Sequence, residues 1–229
     1  MASSFLLRRS GAMCLQRNPA VRGAKGSRGW DWFYKAKESA ESASLETAAF
    51  PENTSDTPRQ KAFLDISIGS EPQGRVVIEL ASDLVPRASQ NFLDLCQGVD
   101  DGGGETIGYK GTKFHTNVKN FIVQGGDVDG EGGRCAPEHS TDLSGRYFVD
   151  ENLSIPHSAP GIVSMASPGV DENGSQFFIA LRESRHLDAK HQVIGHVVEG
   201  MDVVKAMNET FTVRGKPLAD LVIDDAGTL

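Results

Sequence analysis

The stretch Tyr109–Asp127, YKGTKFHTNVKNFIVQGGD, is the most informative part of this 229-residue chain. Its segments Lys113–His115 and Phe121–Gln124 flank a predicted bend, and a long irregular stretch is expected after the two glycines that follow. A second informative block, GIVSMASPGVDENGSQFFIA, spans Gly161–Ala180. Its two apolar runs predict short strands on either side of a polar loop.

Outward from these blocks, short apolar segments alternate with turn residues along most of the chain. One helix is expected to begin at Pro86 and to end at Gly98, and a second is expected over Gly200–Asn208. Strands are predicted at Ala62–Ile68, Arg75–Leu80, Ile162–Met165, Phe177–Ala180, Val193–Val198 and Leu221–Asp224, with a turn at Ser70–Gly74. Many short strands and two modest helices favour an all-β-dominated, closed barrel with helices over its ends.

The composition is that of a soluble globular protein, with 38% hydrophobic and 24% charged residues. The longest apolar runs fall well short of the roughly 18 residues that cross a bilayer, so no transmembrane segment is expected. Residues 30–229 carry 17 basic and 31 acidic side chains. This part of the chain therefore lacks the basic surface that nucleic acid requires, and its partners are expected to be basic.

The first 29 residues, by contrast, contain six basic side chains and no acidic one. A segment rich in arginine and small residues is typical of a mitochondrial transit peptide, and its apolar core is too short for a secretory signal. The sequence thus predicts a mitochondrial protein, in the matrix or associated with the inner membrane. A disordered basic tail and a retained arm against another macromolecule are the alternatives.

Residues 30–60 form a predicted arm and linker. Trp30, Trp32, Phe33 and Tyr34 lie within five residues, and the helix-forming residues 31–49 follow. The aromatic end either docks on a partner or covers an edge of the chain's own barrel. We expect residues 1–50 to attach the protein to a larger assembly, and residues 51–60 to act as a linker.

Two possible ligand motifs are weak. The residues Asp127, Asp129, Glu131, Gly132 and Glu138 have the spacing of a calcium loop, but a strand rather than a helix is predicted before them. The glycine run 102–104 lacks the following Lys-Ser/Thr of a phosphate loop. The three cysteines, Cys14, Cys96 and Cys135, are odd in number and widely spaced, so reduced thiols and no metal site are expected.

Three blocks, FHTNVKNFIVQGGD, NGSQFFI and HLDAKHQVIGHV, resemble the corresponding motifs of the cyclophilins, a family of peptidyl-prolyl cis-trans isomerases. The resemblance covers about residues 61–227. It implies a closed, eight-stranded antiparallel β-barrel capped by two α-helices over residues 61–229, preceded by an N-terminal extension. It also implies a proline-binding groove on the outer face of the barrel, and no cofactor.

The resemblance assigns roles to particular residues. The apolar pocket positions are Phe121, Ile122, Phe178 and Leu187, with Ile122 in place of a usual methionine. The positions that contact the peptide backbone are Gln124, Ala166 and Gln176, and the pocket histidine is His191. His115 matches the histidine that follows the first phenylalanine of the motif.

Three positions depart from the family pattern. Thr116 stands where the family has the arginine that donates to the proline nitrogen as the amide twists. His186 occupies a position often held by tryptophan, and Ser167 replaces a common asparagine. A threonine is too short and uncharged to act as that arginine, although Lys113 or Lys119 offers a partial substitute.

Two functions follow from these residues. The first is a cyclophilin-like protein that binds proline-containing segments with weak or lost isomerase activity, as a subunit or accessory of a mitochondrial assembly. The second is an active isomerase that assists protein folding in mitochondria. The substitution at Thr116 favours the first, and the retained pocket with Gln124 favours the second.

Overall fold

The structure is a computed structural model that describes residues 50–53 and 55–229. The predicted leader, the aromatic arm up to residue 49 and Cys14 lie outside the described residues. No helix within the described part is long and apolar enough to cross a membrane.

Eight antiparallel strands form one curled sheet, and its hydrogen-bonded order is β12-β1-β2-β9-β7-β8-β6-β5. Four of its strands have only three or four residues, as the frequent turn residues predict, and the longest has ten. The strands of this sheet are β1 (Lys61–Ile68), β2 (Glu71–Leu80), β5 (Thr116–Val118), β6 (Ile122–Gly125), β7 (Ile162–Met165), β8 (Phe177–Ala180), β9 (Val193–Glu199) and β12 (Leu221–Thr228). Two small hairpins supply β3 (Val99–Asp100) with β4 (Thr106–Ile107), and β10 (Thr212–Val213) with β11 (Lys216–Pro217).

The edge strands β5 and β12 do not form a ladder with each other, so the sheet is a curled half-barrel rather than the closed barrel that the sequence predicts. The chain just before β5 spans the seam instead. Gly111 and Phe114 donate backbone hydrogen bonds of 2.7 and 2.8 Å to β12, and Ile223 donates one of 2.9 Å to Thr112. β5 itself bonds to the β10–β11 hairpin instead, because its Asn117 amide donates to the carbonyl of Gly215 at 2.7 Å.

The predicted strands are present, with shifted boundaries. β2 begins at Glu71 inside the predicted turn, because Gly74 has a left-handed φ of 126° that lets the strand bulge and continue. β12 extends to Thr228, four residues beyond the prediction, where it pairs with β1. β5 was not predicted as a strand.

Two helices pack against the sheet, α1 (Pro86–Gln97) and α2 (Met201–Glu209). α1 begins with Pro86, as predicted, and its free backbone amides at residues 87 and 88 donate to the carboxylate of Glu151 at 2.9 and 2.8 Å. Gly98 ends α1 with a left-handed φ of 83°. The helix buries Phe92, which contacts the rings of Tyr109 and Phe177 at 4.9 and 5.2 Å.

Two cysteines lie in this core. Cys96 and Cys135 are buried free thiols, in agreement with the prediction for these two residues. Burial raises the pKa of both, that of Cys135 to about 11. Neither thiol is therefore ionised at neutral pH, and neither is poised as a nucleophile.

The segment before β1 also packs against the sheet, although its composition predicts a linker. Arg59 is buried and forms an ion pair with Asp83 at 2.7 Å, and it donates to the carbonyls of Pro51 and Glu52. The ring of Phe50 packs in a tilted arrangement against that of His196 of β9, with the centroids 4.3 Å apart. These contacts fix the point at which the chain enters the described domain.

Candidate functional site

A surface groove of about 460 Å³ runs over β6, β8 and the loop after β7. Nine of the twelve predicted site residues line it, and they come from four separate parts of the chain. These nine are Phe121, Ile122, Gln124, Ala166, Ser167, Gln176, Phe178, Leu187 and His191. The other three, His115, Thr116 and His186, do not line it.

Phe178 is the most buried side chain of the groove, with 3% of its surface exposed. Its ring lies parallel to that of His157 at 5.9 Å and edge-on to that of His191 at 5.5 Å. His157 is fully buried, with its Nδ1 2.9 Å from Asp188 Oδ1 and its Nε2 3.1 Å from Ser164 Oγ. A hydrogen-bonded layer beneath the groove therefore holds the aromatic floor in place.

Phe121 forms another wall of the groove and sits at the end of the β5–β6 turn. Asn120 precedes it with φ of 55°, a left-handed conformation that asparagine tolerates. The side chain of Asn208 in α2 accepts from the Asn120 amide at 2.8 Å and donates to the Val118 carbonyl at 3.0 Å. Asn208 is thus a positioning residue for Phe121 that the sequence pattern did not identify.

The polar side of the groove is built from two glutamines. Gln124 Nε2 donates to Gln176 Oε1 at 2.9 Å, and Gln176 Nε2 donates to the carbonyl of Gly132 at 2.9 Å. These two hydrogen bonds fix the orientation of both side-chain amides, because each amide nitrogen donates to a specific oxygen. The main-chain carbonyl of Gln176 accepts a further hydrogen bond, of 2.9 Å, from the backbone amide of Ala166.

Thr116 lies beside this groove rather than in it. It pairs directly with Gln124 across β5 and β6, so the two side chains leave the sheet on the same face. The two lysines that the sequence offers as partial substitutes for the arginine form ion pairs elsewhere. Lys113 forms an ion pair with Asp220 at 2.8 Å, and Lys119 forms one with Glu209.

The family follows from a match over most of the chain. Residues 63–228 match the family described as cyclophilin type peptidyl-prolyl cis-trans isomerase/CLD. This chain is a cyclophilin. The matched range includes both helices and all the strands except the first two residues of β1, so the groove of apolar rings and glutamines belongs to a cyclophilin domain. Cyclophilin domains bind proline-containing peptides.

Two histidines, one in the cyclophilin groove and one beside it, have environments that favour the neutral imidazole. Burial lowers the pKa of His191 below its usual value, a hydrogen bond involving the Met165 backbone opposes the shift, and the charge of Lys190 adds to it. Its Nδ1 is buried without a hydrogen-bond partner. His186 stacks on Phe121 at 5.3 Å, and its pKa is lowered by burial and by the charges of Arg182 and Lys190. Both rings therefore present uncharged surfaces at neutral pH.

Four lining residues were not identified from the sequence, namely Glu131, Gly132, Tyr147 and Pro168. They lie in long irregular loops, where neither periodicity nor residue type marks a site. Of these four, only Glu131 and Gly132 belonged to a sequence motif, and that motif was the calcium-like spacing. Arg182, whose guanidinium carbon lies 5.3 Å from the centroid of the Phe121 ring, was also missed.

The calcium-like spacing has a structural explanation in hydrogen bonds within the loop. Asp127 accepts from the amides of residues 130 and 132, and Asp129 accepts from those of residues 131 and 133 at 3.0 Å. Asp129 also pairs with Arg146 at 2.7 Å. Strand β6 comes before the loop, where a calcium loop of this type needs a helix.

Elsewhere in the described part of the protein, Asp94, Glu138 and His139 form a cluster of possible metal ligands, whose ligand atoms lie within 4.8 Å of one another. His139 Nε2 lies 2.6 Å from Asp94 Oδ2. A hydrogen-bonded pair with an exposed neighbour accounts for this arrangement without a metal ion.

Proposed function

We propose that this cyclophilin binds proline-containing protein segments in its groove and isomerises them slowly or not at all. The observation that carries the proposal is that the apolar walls and the paired glutamines are present while Thr116 stands at the arginine position. The groove can therefore hold a proline ring between Phe121, Phe178 and Leu187, but it lacks the guanidinium that acts on the twisting amide.

The chemistry of the reaction explains why one side chain matters so much. Rotation about an Xaa–Pro bond crosses a barrier of roughly 20 kcal/mol without breaking a covalent bond. A catalyst must favour the twisted amide over the planar one. Loss of a donor that acts mainly in the transition state costs roughly 2–4 kcal/mol, which corresponds to two or three orders of magnitude in rate. Neither Lys113 nor Lys119 lines the groove, and each forms an exposed ion pair with a carboxylate outside it.

The test measures binding and turnover on the same full-length protein. A short Xaa–Pro peptide is titrated while chemical shifts of the groove residues are followed, and exchange between its cis and trans forms is measured in the same sample. Saturable shifts with exchange near the uncatalysed rate support the proposal. Absence of binding overturns it, and fast exchange at low protein concentration overturns the slow-catalyst part.

The second candidate, an active folding isomerase, is favoured by the completeness of the rest of the pocket. Gln124 and His191 line the groove together with the aromatic walls, and a purely structural subunit has no use for them. The same exchange measurement distinguishes the two candidates, because only an active enzyme accelerates exchange at a protein concentration far below that of the peptide.

We further propose that the protein acts in mitochondria as a subunit or accessory of a larger assembly. The support is the acid-free basic segment 1–29 and the aromatic group at Trp30–Tyr34. Fusion of residues 1–29 to a fluorescent protein tests the address, and diffuse fluorescence would overturn it. Deletion of residues 30–49, which keeps the packed Phe50, is expected to release the protein from its complex with little change in Tm.

A further inference from the structure

One cation at the edge of the groove has no assigned role. Arg182 follows β8 by two residues, and its guanidinium lies over the ring of Phe121, 5.3 Å from the centroid. His186 stacks on the same ring. Phe121 is in turn a wall of the groove, so the charge of Arg182 is one aromatic ring away from the proposed proline site.

The charge of Arg182 is not neutralised by the described part of the protein. Its guanidinium forms no ion pair there, and its Nε is buried without a hydrogen-bond partner. The two nearest carboxylates in sequence are engaged, since Glu183 pairs with Arg185 and Asp188 bonds to His157. The pKa of His186 is lowered in part by Arg182 and Lys190, which agrees with a positive potential at this end of the groove.

The geometry suits an anionic ligand group. A guanidinium that lies over an aromatic ring can still donate from its two terminal nitrogens, which together match the two oxygens of a carboxylate. The groove also contains a carboxylate of its own, Glu131, whose side chain is 78% exposed and 3.5 Å from an Arg146 nitrogen. A bound peptide therefore meets charges of opposite sign from different residues of the lining and the rim.

We propose that Arg182 is a specificity-determining residue that selects proline segments carrying a carboxylate side chain next to the proline. The proposal rests on the proposed binding of proline segments in the groove. Because Arg182 adjoins one wall only, the carboxylate is favoured on one side of the proline and not on the other. The protein then selects its ligands by the position of a negative charge relative to the proline, as well as by the proline itself.

The test uses the full-length protein and pentapeptides with proline at the centre. Glutamate or glutamine is placed immediately before or immediately after the proline, and the four dissociation constants are measured at low salt. At one of the two positions, the glutamate peptide is expected to bind about 5-fold more tightly than its glutamine partner. In Arg182→Gln this ratio is expected to fall to about one, and in Arg182→Lys to an intermediate value.

Arg185→Gln is the matched control, because its guanidinium is exposed and already paired with Glu183. It should keep the wild-type ratio. Equal binding of glutamate and glutamine peptides by the wild type overturns the role of Arg182 and leaves the proline groove intact. A ratio that survives in Arg182→Gln, or that is lost equally in Arg185→Gln, also overturns it. Failure of all four peptides to bind overturns the proposed function itself.

Discussion

Thr116 and Gln124 are direct cross-strand partners in the antiparallel pairing of β5 with β6. Gln124 lines the groove and is held by Gln176 at 2.9 Å. Because opposite residues of an antiparallel pair project to the same face, a longer side chain at position 116 would extend alongside Gln124. The position that lacks the arginine is therefore correctly placed to carry one.

Thr116→Arg is expected to raise the rate of Xaa–Pro isomerisation by about two orders of magnitude or more. The guanidinium would donate to the proline nitrogen as the amide twists, an interaction that strengthens in the transition state. Peptide exchange kinetics measure the gain in kcat/KM. Thr116→Lys is the matched control and should gain much less, because an ammonium group lacks the planar fork. An Arg variant no faster than the wild type would show that position 116 does not limit catalysis.

Arg59→Met is expected to lower the free energy of unfolding by about 3–5 kcal/mol. Both side chains of the Arg59–Asp83 pair are only 3% exposed, so removal of the arginine leaves a carboxylate in a buried site without its cation. Urea denaturation measures the change. The control is Lys113→Met, which breaks the exposed pair with Asp220 and should cost no more than about 1 kcal/mol. Equal losses in the two variants would contradict the structural role of Arg59.

Gly200→Ala is expected to destabilise the protein more than Gly69→Ala does. Both glycines have left-handed φ values, 84° and 63°, which cost a residue with a Cβ about 1–2 kcal/mol. A Cβ at Gly200 would also lie 2.2 Å from the carbonyl oxygen of Arg75, and relief of that overlap costs about a further 1–3 kcal/mol. Around Gly69 nothing lies within 4 Å. Thermal unfolding of the pair measures the difference, and similar Tm values would refute the close approach.

The stability of the domain is expected to fall as the pH drops below about 6.5, and His196 is expected to contribute to this fall. Burial lowers the folded-state pKa of His196, so between its two pKa values the unfolded chain binds a proton that the folded protein does not. The free energy of unfolding therefore decreases with falling pH, by up to about 1.4 kcal/mol per pH unit, and levels off below the folded pKa.

His196→Phe should flatten this part of the pH profile while keeping a ring against Phe50. Its buried Nδ1 has no hydrogen-bond partner, so loss of that atom should not itself destabilise the fold. Unfolding curves at several pH values between 5 and 8 provide the comparison. An unchanged slope in the variant would assign the pH dependence to other groups.

Much of the groove was predictable because cyclophilin motifs keep their order along the chain. Phe121, Phe178 and Leu187 fall in three separate blocks, and the strand register brings them to one surface. The sequence could show that Thr116 occupies the arginine position of the motif. It could not show on which face of the sheet the side chain lies, because that depends on the pairing of Thr116 with Gln124.

Other features depend on contacts between distant residues and were not visible in the sequence. The partners of Lys113 and Lys119 lie 107 and 90 positions further along the chain, so their availability could not be judged beforehand. Arg59 lies in a stretch with linker composition, and only the fold brings it to Asp83. The absence of a ladder between β5 and β12 likewise depends on how far each edge strand extends, and strand ends are weakly encoded in local sequence.

The buried pair of Arg59 and Asp83 has a mechanical consequence. Tension applied to the chain from its N-terminal side reaches Phe50 and Arg59 before it reaches β1. The contact of the Phe50 ring with His196 and the buried ion pair are therefore expected to bear the load before β1 is pulled from its two neighbouring strands. The groove lies on β6 and β8, outside that line of force. A partner that holds the protein by the segment from Phe50 to Arg59 is therefore expected to leave the binding groove undistorted.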